Sequence, residues 1–168
     1  MSAEQADSRV RLDREQILGL LPHRPPFLLV DEVVELDPGR RCVALRTLRD
    51  DDFWFAGHFP GNPVMPGVLL VEALAQTATL AAAAAGGAEG KVGLFAGIDK
   101  VRFKRVVKPG DTLQLEAEIL AVRGPVGKCK VLATVDGQMA CRGELMFAVV
   151  EAAAVASGQA ALRPQGDA

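Results

Sequence analysis

The segment from 68 to 85, VLLVEALAQTATLAAAAA, constrains this chain more than any other. Its apolar residues cover the whole circumference of a helix instead of one stripe, so such a helix must be covered on nearly all sides. Its length approaches that of a membrane span. It is rich in alanine, however, and carries Glu72 and Gln76, which favours a buried helix in a protein that does not insert into a membrane. Gly86 and Gly87 mark its end.

Around that helix nearly every other patterned segment reads as strand. Residues 27–36 form a run rich in valine and leucine, and Asp37-Pro38-Gly39 then supplies a turn. Residues 41–49 alternate, as do 112–122 and 128–135, and 92–105 and 138–149 complete the strand set. Asp136-Gly137 joins 128–135 to 138–149 as a two-residue hairpin. A short helix near the N-terminus is signalled by Asp13 with Gln16 three positions on, and Pro22 helps to end it. Between 50 and 67, repeated glycine and proline describe a loop with a prescribed path. One buried helix among antiparallel strands calls for an α+β domain whose curved sheet wraps the helix. A chain of 168 residues fits a single such domain, expected over 13–150, with a flexible tail over 1–12 and a disordered one over 151–168.

Composition removes several functions. The net charge of −2 argues against a general nucleic-acid binder, and with no tyrosine, chemistry needing a phenol is excluded. Cys42, Cys129 and Cys141 are scattered without metal-like spacing, which suggests reduced, packed thiols in a cytoplasmic protein. The polar N-terminus has no apolar core of a secretory signal.

Glu72 is the most informative residue. An ionised carboxylate in an apolar helix costs several kcal/mol or more unless it is paired, solvated in a cleft, or protonated. Gln76 lies one turn on and can hydrogen-bond it. Such a carboxyl suits a general acid, although burial alone serves equally a helix-surface glutamate at a gap in the sheet. His58, between Gly57 and Phe59, is placed to be a neutral base, or merely to satisfy a loop carbonyl. His23 sits between prolines with no acidic or nucleophilic partner spaced with it, so a structural hydrogen bond is its expected role. Pro66-Gly67 opens the helix, where the unpartnered first-turn N–H groups, Gly67 and Val68, can polarise a carbonyl. Proline also starts helices for no other reason. Lys100, Arg102, Lys104, Arg105 and Lys108 form a basic cluster, either a docking surface for an acidic partner or a solvated sheet face.

Read together, HFPGNPVMPG at 58–67 followed by EALAQ at 72–76 closely resembles the signature of the β-hydroxyacyl-acyl carrier protein dehydratases of the FabZ type. LPHR at 21–24, PFLLVD at 26–31, FAGIDKVRF at 95–103 and PGD at 109–111 extend the resemblance from about 17 to 149. It implies a hot-dog fold, a homodimer joined sheet edge to sheet edge, and in some members a trimer of dimers. It also implies conversion of (3R)-3-hydroxyacyl-acyl carrier protein to the trans-2-enoyl product without metal or organic cofactor. By the resemblance His58 is the base, Glu72 from the other chain is the acid, and Gln76 supports it. Gly67 and Val68 position the thioester. Phe59, Pro60, Met65 and Phe95 line the acyl tunnel, and Lys100, Arg102, Lys104 and Arg105 dock the carrier protein. Glutamate at 72, where a related bifunctional group has aspartate, implies dehydration without isomerisation. Arg24-Pro25-Pro26 and an unusually acidic 50–54 stretch depart from the family pattern. The alternatives are a hot-dog acyl thioesterase and a non-catalytic subunit that binds acyl carrier protein.

Overall fold

The computed structural model describes residues 10–162. Its centre is the anticipated helix, α2 (Gly67–Ala83), preceded by α1 (Arg14–Leu20) and followed at the far end of the chain by the short α3 (Ala152–Ala156). Seven strands surround α2: β1 (Val10–Leu12), β2 (Glu32–Asp37), β3 (Arg41–Thr47), β4 (Lys91–Phe103), β5 (Thr112–Arg123), β6 (Val126–Val135) and β7 (Gln138–Glu151). They make one sheet in the order β1-β2-β3-β5-β6-β7-β4, with every neighbouring pair antiparallel. Helix α2 packs against β3, β5, β6 and β7, so the sheet must curve around it. This is the α+β hot-dog architecture.

The strand pattern and the burial agree closely. Leu113, Leu115 and Ala117 of β5 and Cys129, Val131, Ala133 and Val135 of β6 are buried against α2, while the polar residues between them face outward. In α2 the apolar circumference is matched by burial through Leu70, Val71, Ala73, Leu74, Ala78, Leu80 and Ala81. Val68, in its first turn, is the exception at 76% exposed. All three cysteines are free and buried, in keeping with a packing role.

Three boundaries differ from the sequence reading. Val10–Leu12, assigned above to a flexible tail, pair with β2 as an edge strand. Residues 152–156, assigned to a disordered tail, form α3, and the N–H of Ala152 donates to the Gly90 carbonyl. The remainder of both expected tails, 1–9 and 163–168, lies outside the described residues. Residues 27–31 are not strand. Leu28, Leu29 and Val30 are fully buried, and the Leu29 N–H donates to the Gln76 side chain instead of a neighbouring strand. A short continuous apolar run does not reveal by periodicity what its backbone will pair with.

Candidate active site

Helix α2 begins at Gly67 after Pro66, whose extended backbone turns the chain into the helix without a side-chain cap. Among the described residues no acceptor meets the N–H of Gly67 or Val68, as expected for the first turn of a helix. The Phe103 ring lies over Gly67, and a Cβ there would come within 2.9 Å of its Cζ. Glycine thus lets this aromatic edge close on the helix start.

One turn further on, Glu72 is largely enclosed, its side chain 18% exposed. Gln76 Nε2 donates to Glu72 Oε1 at 3.1 Å, the contact expected from the helical spacing. The same amide nitrogen donates to the Phe27 carbonyl at 2.8 Å, and Gln76 Oε1 accepts from the Leu29 N–H at 2.8 Å. Gln76 therefore ties the helix to the 27–31 segment as well as supporting the carboxyl.

The sequence reading of His23 missed a partner. Its Nε2 lies 3.3 Å from Glu72 Oε1, so it does have an acidic partner, brought to it by the fold across almost fifty positions. Its Nδ1 is buried with no partner among the described residues. The segment is braced by Arg24, whose guanidinium donates to the carbonyls of Leu18, Leu21 and His23. No spacing rule in the sequence could expose this contact.

His58 stands in the loop between β3 and α2. Its Nδ1 is 2.8 Å from the Val64 carbonyl oxygen, and the Val64 N–H returns a bond to the His58 carbonyl. The Phe59 ring stacks on the imidazole at 4.1 Å between centroids. The His58–Phe59 peptide is cis. The loop is anchored at its start by Arg46, a residue only 4% exposed whose guanidinium pairs with Asp31 and Asp52 and lies against the Trp54 ring. Asp52, from the stretch noted above as unusually acidic, also accepts from the Arg49 N–H. Arg46 was not singled out in the sequence. A charged residue at a strand position facing the core was the available signal.

Two cavities follow α2. One of about 40 Å³ surrounds Glu72, lined in part by His23, Gln76, Phe95 and Leu145. The second, about 450 Å³, runs along the alanine-rich end of α2 past Ala82, Ala83, Val92 and Ile119. They share Thr79, Gly93 and Phe147. Of the expected tunnel residues only Phe95 lines either cavity. Met65 is instead buried in the core, its N–H bonded to the Val107 carbonyl, and Phe59 and Pro60 are exposed. His58 lines neither cavity, so within a single chain the imidazole beside Glu72 is that of His23.

The basic cluster is less free than its sequence suggests. Lys100 pairs with Glu144, and Arg105 pairs with Asp111 and donates to the Val135 carbonyl. β4 carries a bulge between Asp99 and Arg102, with Lys100 at φ 53°. Arg102, Lys104 and Lys108 remain exposed. Among the described residues no helix is long and apolar enough to cross a membrane, and no group of three or more His, Cys, Asp or Glu side chains could hold a metal ion.

Against known families, residues 21–144 match the FabA-like domain. This chain belongs to that family. Within it, the 3-hydroxyacyl-[acyl-carrier-protein] dehydratase FabZ of Staphylococcus carnosus is 56% identical over 137 residues, covering 82% of this chain and 94% of the relative. The FabZ of Staphylococcus epidermidis is 54% identical over 140 residues, covering 83% and 97%. The chain is thus of the FabZ type. Solved structures confirm the fold at low identity. A dehydratase heterocomplex, ApeI:P from Xenorhabdus doucetiae, superposes with a TM-score of 0.71 at 16% identity over 84% of this chain and 95% of its own. The fluoroacetyl-CoA thioesterase FlK superposes at 0.61 with 18% identity, over 73% and 94%. The fold is therefore shared between two chemistries, and membership of the FabA-like family separates them.

Proposed function

We infer that this chain is a hydro-lyase that removes water from a β-hydroxyacyl chain carried as a thioester on acyl carrier protein, in fatty-acid biosynthesis. The observation that carries the mechanism is the bond between His58 Nδ1 and the Val64 carbonyl. A carbonyl only accepts, so Nδ1 holds the ring proton and Nε2 of the neutral imidazole presents a lone pair.

The chemistry then divides between three groups. The first-turn N–H groups of Gly67 and Val68 hydrogen-bond the thioester carbonyl and, with the helix dipole, stabilise the charge that develops on its oxygen. His58 Nε2 takes the proton from C2. Protonated Glu72 gives a proton to the C3 hydroxyl, which leaves as water. We assign the working His58 and Glu72 to opposite chains of a homodimer. Two features support this. Glu72 faces a cavity that His58 does not line, and among the described residues β4 has an edge without a partner strand beside exposed apolar side chains Val68, Ile98 and Phe103. The acyl chain would continue from the small cavity at Glu72 into the larger one, and together the two follow α2 from position 72 to position 83, about 16 Å at helical rise. Arg102 and Lys104 are the exposed cations best placed to meet an acidic carrier protein.

The test is direct. Wild-type protein given a β-hydroxyacyl thioester should produce enoyl absorbance, while His58→Ala and Glu72→Gln each lose most activity and stay folded. Mixing the two inactive variants should restore part of it through heterodimers. Near-normal turnover by Glu72→Gln would remove the acid assignment. No recovery despite proven subunit exchange would remove the shared site.

A further inference from the structure

Three contacts bear on which oxygen of Glu72 carries a proton. The Gln76 amide is fixed in one orientation, because its Oε1 accepts from the Leu29 N–H and its Nε2 donates to the Phe27 carbonyl. The second hydrogen of that nitrogen points to Glu72 Oε1. Oε1 is therefore an acceptor, a part that the carbonyl oxygen of a carboxylic acid plays better than its hydroxyl oxygen, which favours the acid proton on Oε2. His23 Nε2 approaches the same oxygen. A lone pair on Nε2 facing an acceptor would be repulsive, so Nε2 carries the hydrogen and the buried Nδ1 is left with its lone pair.

We propose that His23 is a positioning residue for the dehydration, donating from Nε2 to Glu72 Oε1 so that the proton delivered to substrate is carried on Oε2. This rests on the reading of Glu72 as the acid. The Oε2–H bond breaks as the C3–O bond breaks, and the hydroxyl leaves as water. The electron pair of the C2–H bond becomes the C2=C3 π bond, and His58 Nε2 gains the C2 proton. The carboxylate left behind has two donors on Oε1, which stabilise it at the moment its charge appears. Without His23 the carboxyl would be held by a single donor and could rotate to present either oxygen.

The titratable groups around this cavity are few. They are His23 and Glu72 themselves, the Cys129 thiol on β6, and His58 from the other chain on the reading above. Burial pushes Cys129 up to about 11, so it stays neutral across the working range. The neighbouring Arg24 guanidinium is turned to backbone carbonyls.

The experiment compares His23→Leu and His23→Gln with wild type in the full-length enzyme, following enoyl formation across pH. His23→Leu should lower kcat about tenfold, the loss of one hydrogen bond to a charged group, with KM held. The alkaline limb of kcat should move to higher pH, because the carboxylate has lost a donor that favours it. His23→Gln, which can return an N–H to Oε1, should recover much of the loss. Should His23→Leu not fold, His23→Asn removes the same contact, its amide being too short to reach. An unmoved alkaline limb, or a loss confined to KM, overturns the proposal. Its failure is distinct from failure of the acid assignment, which would show as turnover surviving in Glu72→Gln.

Discussion

His58 Nδ1 and the Val64 carbonyl oxygen lie 2.8 Å apart, on two sides of the same Gly/Pro loop. The contact sets the imidazole tautomer before any substrate arrives. His58→Asn places an amide N–H near the Nδ1 position and should keep the Val64 bond while deleting Nε2. It should unfold with the wild-type midpoint yet lose between about a hundredfold and ten-thousandfold in turnover, the range for a missing general base. If His58→Asn melted well below wild type, the residue's main role would be in holding the loop.

That loop depends in turn on Arg46. Its guanidinium is buried between Asp31 and Asp52, so Arg46→Met would leave Asp52 without its counter-charge and Asp31 with only Arg49. Breaking a buried pair from one side costs about 3–5 kcal/mol. Arg49 also contacts Asp31 but is mostly exposed, and Arg49→Met should cost no more than about 1 kcal/mol. Urea denaturation of both variants checks this. Equal losses would mean that the Arg46 network contributes no more than a surface pair.

Phe147 offers a test of the acyl path. It lines both cavities, and its ring lies over Gly127, where an added Cβ would meet Cζ at 2.2 Å. Gly127→Ala must displace this ring, and with it the shared wall of the two cavities. Turnover of a β-hydroxydodecanoyl thioester should fall while that of a β-hydroxybutyryl thioester holds, and adding Phe147→Ala should restore the longer substrate. Parallel losses on both substrates would show that the chain does not run this way.

What could be read from sequence was whatever repeats locally. The all-round apolar helix, the alternation in β5 and β6, the Asp13–Gln16 cap and the Glu72–Gln76 pair each depend on residues within a turn or a strand of one another. The misreadings depended on long-range pairing. His23 looked partnerless because Glu72 lies far along the chain, and 27–31 looked like strand because its apolar content hid a backbone bonded to Gln76. Arg46 passed unnoticed since a lone arginine in a strand pattern normally faces solvent.

The buried thiols make stability depend on alkaline pH. Burial raises Cys42 from an ordinary 9.0 to about 12, and Cys129 and Cys141 to about 11. Below pH 9 folded and unfolded chains both hold these protons, and the thiols add no pH dependence. Between pH 9 and the folded values the unfolded chain releases them and the folded chain does not, so rising pH favours unfolding. Each thiol should steepen the loss by at most about 1.4 kcal/mol per pH unit. Cys42→Ala leaves a small cavity and lowers stability at neutral pH, yet its stability should fall less steeply than wild type from pH 9 to 11. Urea midpoints at several pH values give the two slopes, and their difference cancels the lysine and arginine contributions common to both. Superimposable slopes would show that the Cys42 thiol ionises as readily in the fold as in water, contrary to its complete burial.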